Sequence, residues 1–105
     1  MIVFSKSTLR CFWEEPDNGD SEGPLTAWHA VVSARKEAWS CWANLKEKYP
    51  RADLVGSCVV FDIGGNKWRL IVKVNYERQT VFVRKVMSHS EYGQNKWPDE
   101  CDCIE

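Results

Sequence analysis

The sequence has no long hydrophobic run. A membrane-spanning helix needs about 20 consecutive apolar residues, and nothing in the 105-residue chain approaches that length. The opening stretch, MIVFSKSTLRCFW, is apolar only up to Phe4 and is then interrupted by Lys6 and Arg10. It lacks the apolar centre of a secretory leader. The expectation is an unprocessed cytoplasmic chain with no membrane attachment. Histidine is scarce, with only His29 and His89, and the five cysteines (Cys11, Cys41, Cys58, Cys101, Cys103) show no pair of closely spaced ligand pairs. Structural zinc sites carry such pairs, so no metal and no cofactor are expected. An odd cysteine count without a framework spacing argues against a disulfide scaffold, and reduced thiols are expected. Charge of one sign is also missing: 14 Lys and Arg stand against 15 Asp and Glu, for a net charge of −1. A uniformly basic nucleic-acid binder is thereby excluded. The length fits one domain and leaves no room for separate cofactor and substrate domains.

The distribution of charge says more than its sum. Residues 1–56 carry seven cations and eight anions, residues 57–92 carry six and three, and residues 93–105 carry one and four. A basic segment is therefore followed by an acidic end. The expected organisation is a single domain over residues 1–92 and an acidic C-terminal tail over residues 93–105.

The first half reads as helical. Met1–Phe4 predicts a short edge strand. Ser5 or Ser7 can cap a first helix that places Leu9, Phe12 and Trp13 on one face, with Pro16 beyond its end. The loop DNGDSEG contains no apolar residue. Pro24 suits the first turn of a second helix, in which Leu25, Trp28 and Val31 or Val32 face inward. Trp39–Lys48 predicts a third helix, with Trp42 and Leu45 inward. His29 falls in the second helix and reads as a surface or half-buried residue.

The second half changes period. Cys58–Ile63 is β-branched and aromatic. After Gly64-Gly65-Asn66, the stretch KWRLIVKVNY alternates. Trp68, Leu70, Val72, Val74 and Tyr76 share one side, and Lys67, Arg69, Ile71, Lys73 and Asn75 share the other. Thr80–Val86 predicts a further strand of uncertain phase. In one setting Phe82, Arg84 and Val86 share a face, and Val81, Val83 and Lys85 the other. The whole predicts an α+β fold, an antiparallel sheet with the N-terminal helices packed on one face.

Lys67, Arg69 and Lys73 line one side of one strand, with Arg84 or Lys85 on the next, and the chain then runs into His89-Ser90-Glu91-Tyr92. Cations attract phosphate, and an aromatic ring stacks on an unpaired base. A histidine transfers protons near neutral pH. RNA brings its own nucleophile, the 2′-hydroxyl, so cations, a histidine and a tyrosine suffice for cleavage without a metal. The plainer alternative is equally concrete. Lysines on a solvent-facing strand often serve only to discourage edge pairing, and His-x-Glu-Tyr also fits a turn whose tyrosine packs on the core.

At these residues the chain resembles the HigB toxins of bacterial type II toxin–antitoxin systems, which are RelE-like mRNA interferases. The resemblance runs through Thr8-Leu9-Arg10, Phe12-Trp13-Glu14, Pro24-Leu25, Ala27-Trp28, Tyr49-Pro50 and Ala52-Asp53. It is densest over VVFDIGGNKWRL (59–70), continues through Asn75-Tyr76-Glu77 and Val81-Phe82-Val83-Arg84, and ends at His89-Ser90-Glu91-Tyr92. It implies a RelE-like fold and metal-independent cleavage of mRNA on the translating ribosome. It also implies a cognate HigA-type helix-turn-helix antitoxin, with operator DNA bound only through the complex. Lys67, Arg69 and Arg84 match the family's cations and are assigned to substrate phosphate and transition-state charge. His89 or Tyr92 is assigned to proton transfer or base stacking, Lys73 to RNA binding, and Asn66 to positioning substrate or to a plain turn. Gly93 departs from the aspartate that often follows the tyrosine, and the near-zero charge departs from clearly basic relatives. Both departures keep open a non-catalytic RelE-like protein that binds an antitoxin or RNA. The stretch WPDECDCIE matches nothing in the family. It is either a disordered end or a segment that folds over the basic side.

Overall fold

The alternating strands of the second half form a sheet with two unequal faces. In the computed structural model, which describes residues 1–65, 67–94 and 97–100, the strands are β1 (Ile2–Phe4), β2 (Asp53–Val55), β3 (Cys58–Ile63), β4 (Trp68–Asn75) and β5 (Thr80–Ser88). The helices are α1 (Lys6–Trp13), α2 (Glu22–Val32), α3 (Trp42–Lys48), α4 (His89–Gly93) and α5 (Trp97–Glu100), with a short 3-10 turn over Gly19–Ser21. The strand order is β1-β5-β4-β3-β2. Strands β2 to β5 pair antiparallel, whereas β1 lies parallel to β5. The fold is α+β as expected, but the sheet is mixed, because the chain leaves β1 into α1 and reaches β5 only after the rest of the sheet. The third helix begins at Trp42 rather than Trp39, and β2 is a strand that residue patterning did not indicate.

Helices α1 to α3 accompany one face. Leu9, Leu25, Trp28, Val32 and Leu45 meet Val59, Phe61, Ile63, Trp68, Leu70, Val72, Val81, Val83 and Val86 in one apolar core. Trp39, outside any helix, is fully buried in it. Phe61 is an aromatic hub, with ring centroids 5.5 Å from Trp28, 6.0 Å from Trp39 and 5.2 Å from Tyr49. Trp13 and Trp42, expected as core, are only partly buried. The loop before α3 is pinned from β5. The Gln79 amide donates to the Trp39 carbonyl at 2.7 Å, and its oxygen accepts the Trp39 N–H at 3.0 Å.

The opposite face carries a smaller cluster of Cys58, Val60, Ile71, Met87 and Trp97, with Val55 and Tyr92 packed against it. Its alternation within β4 is the one expected from the sequence. Strand β5 resolves its phase through a bulge. Ile71 faces Lys85 and Val72 faces Val83, which leaves Arg84 as the extra residue. Val81, Val83 and Val86 therefore all reach the helix-side core, which no uninterrupted alternation allows.

Cys11 and Cys41 are free, as expected, but exposed rather than buried. Cys58 is not: it is disulfide-bonded and fully buried in the second-face cluster, where the C-terminal segment packs through Trp97. Asn66, Cys101, Cys103 and the rest of the acidic stretch after Glu100 lie outside the described residues. No helix among the described residues is long and apolar enough to cross a membrane.

Candidate functional site

A tight hairpin and a capped helix set the site. Gly64 and Gly65 take positive φ (64° and 62°), turning β3 into β4. A side chain at Gly64 would come within 3.1 Å of the Trp68 ring. This turn pairs Ile63 with Trp68 and therefore Asp62 with Arg69. The Arg69 Nε lies 3.2 Å from the Asp62 carboxylate. At the far end of β5, Ser-x-x-Glu opens α4. The Ser88 hydroxyl accepts the Glu91 backbone N–H at 3.2 Å, capping the helix that carries His89, Glu91 and Tyr92. The His89 N–H donates to the Lys67 carbonyl at 3.1 Å, which ties α4 to the start of β4.

Arg69, His89 and Tyr92 converge. Arg69 is 8% exposed. Its guanidinium lies 5.2 Å from the centroid of the Tyr92 ring, and its terminal nitrogen is 3.0 Å from His89 Nδ1. Arginine only donates hydrogen bonds, so Nδ1 accepts and the neutral imidazole carries its proton on Nε2. Burial, then the Asp53 charge, raise the Tyr92 phenol above its usual range, with Asp62 adding to the rise and Arg69 opposing it. Tyr92 is thus a neutral ring near pH 7, suited to stacking and unsuited to accepting a proton. One neighbour of that ring is already Trp97, stacked at 5.1 Å and 20°.

The remaining cations lie elsewhere. Lys67 is exposed, paired with Asp20 at 2.8 Å, and lies 5.3 Å from the Trp68 ring centroid. The Asp20 carboxyl is held below its usual range by the Lys67 hydrogen bond and charge. Arg84, at the bulge, opens on a cleft of about 360 Å³ between α1 and β5 that Ser7, Cys11 and Lys85 also line. An adjoining cleft of about 280 Å³ shares Lys85 with it and runs on to Ser88 and Glu91. Lys85 reaches the Glu91 carboxylate at 3.2 Å. The clefts thus lead from Arg84 to the helix that bears His89. Lys73 lies toward the other end of β4, opposite Phe82. His29 sits half-buried on α2, and its pKa is lowered by burial and by Lys6, away from this cluster. Among the described residues, no three His, Cys, Asp or Glu side chains are grouped to hold a metal ion.

Asp62 joins the cluster although it was not singled out as a site residue, alongside Lys85, weighed as an alternative to Arg84, and Glu91 of His-x-Glu-Tyr. For Asp62 the signal was available: counted outward from the Gly64-Gly65 turn, it stands opposite Arg69.

The sheet, its helix-covered face and this Arg–His–Tyr cluster at the end of the last strand define a small α+β protein. The family model described as HigB_toxin, a RelE-like toxic component of a toxin–antitoxin system, matches residues 21–95. The chain belongs to this family. It is similar to the mRNA interferase toxin HigB of Escherichia coli (strain K12), with 36% identity over 52 residues, 47% of this chain and 50% of that protein. The mRNA interferase HigB of Shigella flexneri matches with the same identity and coverage. The chain spans about half the length of the curated relatives it matches.

Proposed function

We propose that the chain is a metal-independent endoribonuclease that cleaves mRNA, acting on the translating ribosome and held inactive by a cognate HigA-type helix-turn-helix antitoxin through which operator DNA is bound. The toxin domain covers residues 1–92, and residues 93–105 are an appendage to it. The observation that carries this reading is the 3.0 Å bond from Arg69 to His89 Nδ1, in a chain whose family is that of RelE-like toxins. The bond leaves the proton on Nε2, so His89 meets the substrate as a hydrogen-bond donor through Nε2–H.

The chemistry divides among the residues accordingly. The RNA 2′-hydroxyl attacks the adjacent phosphorus and gives up its proton to the Glu91 carboxylate. The 5′-oxygen leaves and takes up a proton from water, which the protonated Glu91 carboxyl restores, while the His89 Nε2–H hydrogen-bonds the charge developing on the phosphoryl group. The products are a 2′,3′-cyclic phosphate and a 5′-hydroxyl. Arg84 and Lys85 stabilise the charge that builds on the phosphoryl oxygens, and Lys67 and Lys73 bind the flanking backbone. Tyr92 stacks on a base. Arg69, buried and paired with Asp62, is a positioning residue that fixes the His89 tautomer.

The test is to induce the wild type and the Arg84→Ala, His89→Ala and Tyr92→Ala variants and to map the 5′ ends of cellular mRNA. New ends in the wild type that disappear in the variants support the reading. Unchanged mRNA and normal growth with folded protein overturn it in favour of a non-catalytic binder.

A further inference from the structure

The second face of the sheet is covered over only part of its width. Trp97 packs on Val60 and Ile71 of β3 and β4 and on Met87 at the end of β5. The β1 side of the same face remains exposed. There Phe4 and Phe82 stand on neighbouring strands, their rings stacked at 5.4 Å and 12°. They are 50% and 41% exposed, and Ile2 beside them is 59% exposed. Burial normally claims phenylalanine, so two stacked rings left in water at a strand edge call for an occupant. Directly across from Phe82 in register is Lys73.

We infer that Phe4 and Phe82 form a second base-stacking position, taking an unpaired base of a single-stranded RNA whose backbone lies against Lys73. This inference rests on the ribonuclease reading and extends its substrate contact away from the site of cleavage. Three observations favour RNA over a protein partner. The apolar patch is narrow, limited to Ile2, Phe4 and Phe82. A lysine faces the aromatic pair directly, as a phosphate requires and an apolar protein surface does not. The patch also lies on the same sheet face as Tyr92. Four residues of β4 separate Arg69, beneath Tyr92, from Lys73, a span of about 13 Å at strand rise, within reach of one short strand. Sheet-borne aromatics flanked by cations bind single strands in this manner generally.

The probe is a 2′-O-methyl oligoribonucleotide of about eight residues, within the usual site sizes of single-strand binders, which lacks the attacking hydroxyl and is not cleaved. Phe4→Ala and Phe82→Ala are each expected to weaken its binding roughly tenfold, the value of one base–aromatic stack. Phe82→Tyr, which keeps the ring, is expected to retain affinity, whereas Phe82→Leu, which keeps only the apolar surface, loses it. Both rings are exposed, so the melting temperature checks that folding is intact. Val31→Ser, on the exposed outer side of α2, serves as the control and leaves binding unchanged. If Phe82→Leu binds as tightly as wild type while Arg84→Ala does not, the second position is overturned and the ribonuclease reading stands. If RNA binding is untouched but capture of a HigA-type antitoxin is lost, the patch is a protein-docking surface and the inference is likewise overturned. If the wild type binds no oligonucleotide, both fall.

Discussion

The two faces of the sheet solve different problems. The helix side is built almost wholly of apolar and aromatic groups, drawn from α1, α2, α3 and the sheet strands together. The opposite side is a smaller apolar cluster bordered by an ion pair, a histidine and a tyrosine, and it is completed by Trp97. One face holds the fold and the other holds polar groups in register above it. The separation lets charged residues be placed on a strand without entering the main core, because successive residues of a strand point to opposite faces.

The sharpest way to break this contrast is to injure the helix side. Phe61→Ala removes the ring shared by Trp28, Trp39 and Tyr49 and is expected to cost about 3–5 kcal/mol, read as a lower denaturant midpoint in urea. On the other face, Asp62→Asn removes the Asp62–Arg69 ion pair. With Asp62 partly solvated, the loss is expected at about 2 kcal/mol, accompanied by loss of cleavage as the His89 tautomer is freed. An equal loss of stability at both sites would erase the distinction. Gly64→Ala is expected to cost about 1–2 kcal/mol, from its positive φ and the Trp68 contact.

Alkaline pH sharpens the comparison from the helix side. Burial pushes the Tyr49 hydroxyl up to about 12, helped by the Glu37 charge and the hydrogen bond to it. A folded pKa above the unfolded value of 10 gives stability that is complete below pH 10 and lost as pH rises through 12. The melting temperature is expected to fall over that window, and less steeply in Tyr49→Phe. The smallest effect on stability is expected at the bulge. Arg84→Ala is exposed and should shift stability by less than about 0.5 kcal/mol, while lowering RNA cleavage on the order of a hundredfold if it stabilises phosphoryl charge.

What the sequence reveals follows the range of each interaction. The two sides of β4 are legible because period-two alternation is local. The turn at Gly64-Gly65 is legible for the same reason, and it carries the Asp62–Arg69 pairing with it. The α1 and α2 inner faces at Leu9, Leu25 and Trp28 follow from helical spacing. The parallel partner of β1 is not legible, since Ile2 meets Thr80 across the whole chain. Trp39 is core because Gln79 anchors its loop, a contact no local pattern announces. Within the candidate site, residue types marked Arg69, His89 and Tyr92, but not that Arg69 is buried and therefore supports His89 instead of lying open to phosphate. The Arg84 cleft depends on one inserted residue, whose place is set by β4 and not by β5 itself.

That inserted residue divides β5 into two segments of opposite parity. Before Arg84, even-numbered positions such as Phe82 face away from the helices; after it, even-numbered Val86 faces toward them. Deleting Arg84 would make the ladder regular with Ile71 still opposite Lys85 and Val72 still opposite Val83, so every remaining side chain would keep its face and only the Arg84 cation would be lost. The strand thus works as two independently addressable modules, and substitutions before the bulge can vary the outer aromatic platform without re-aiming the histidine at its other end.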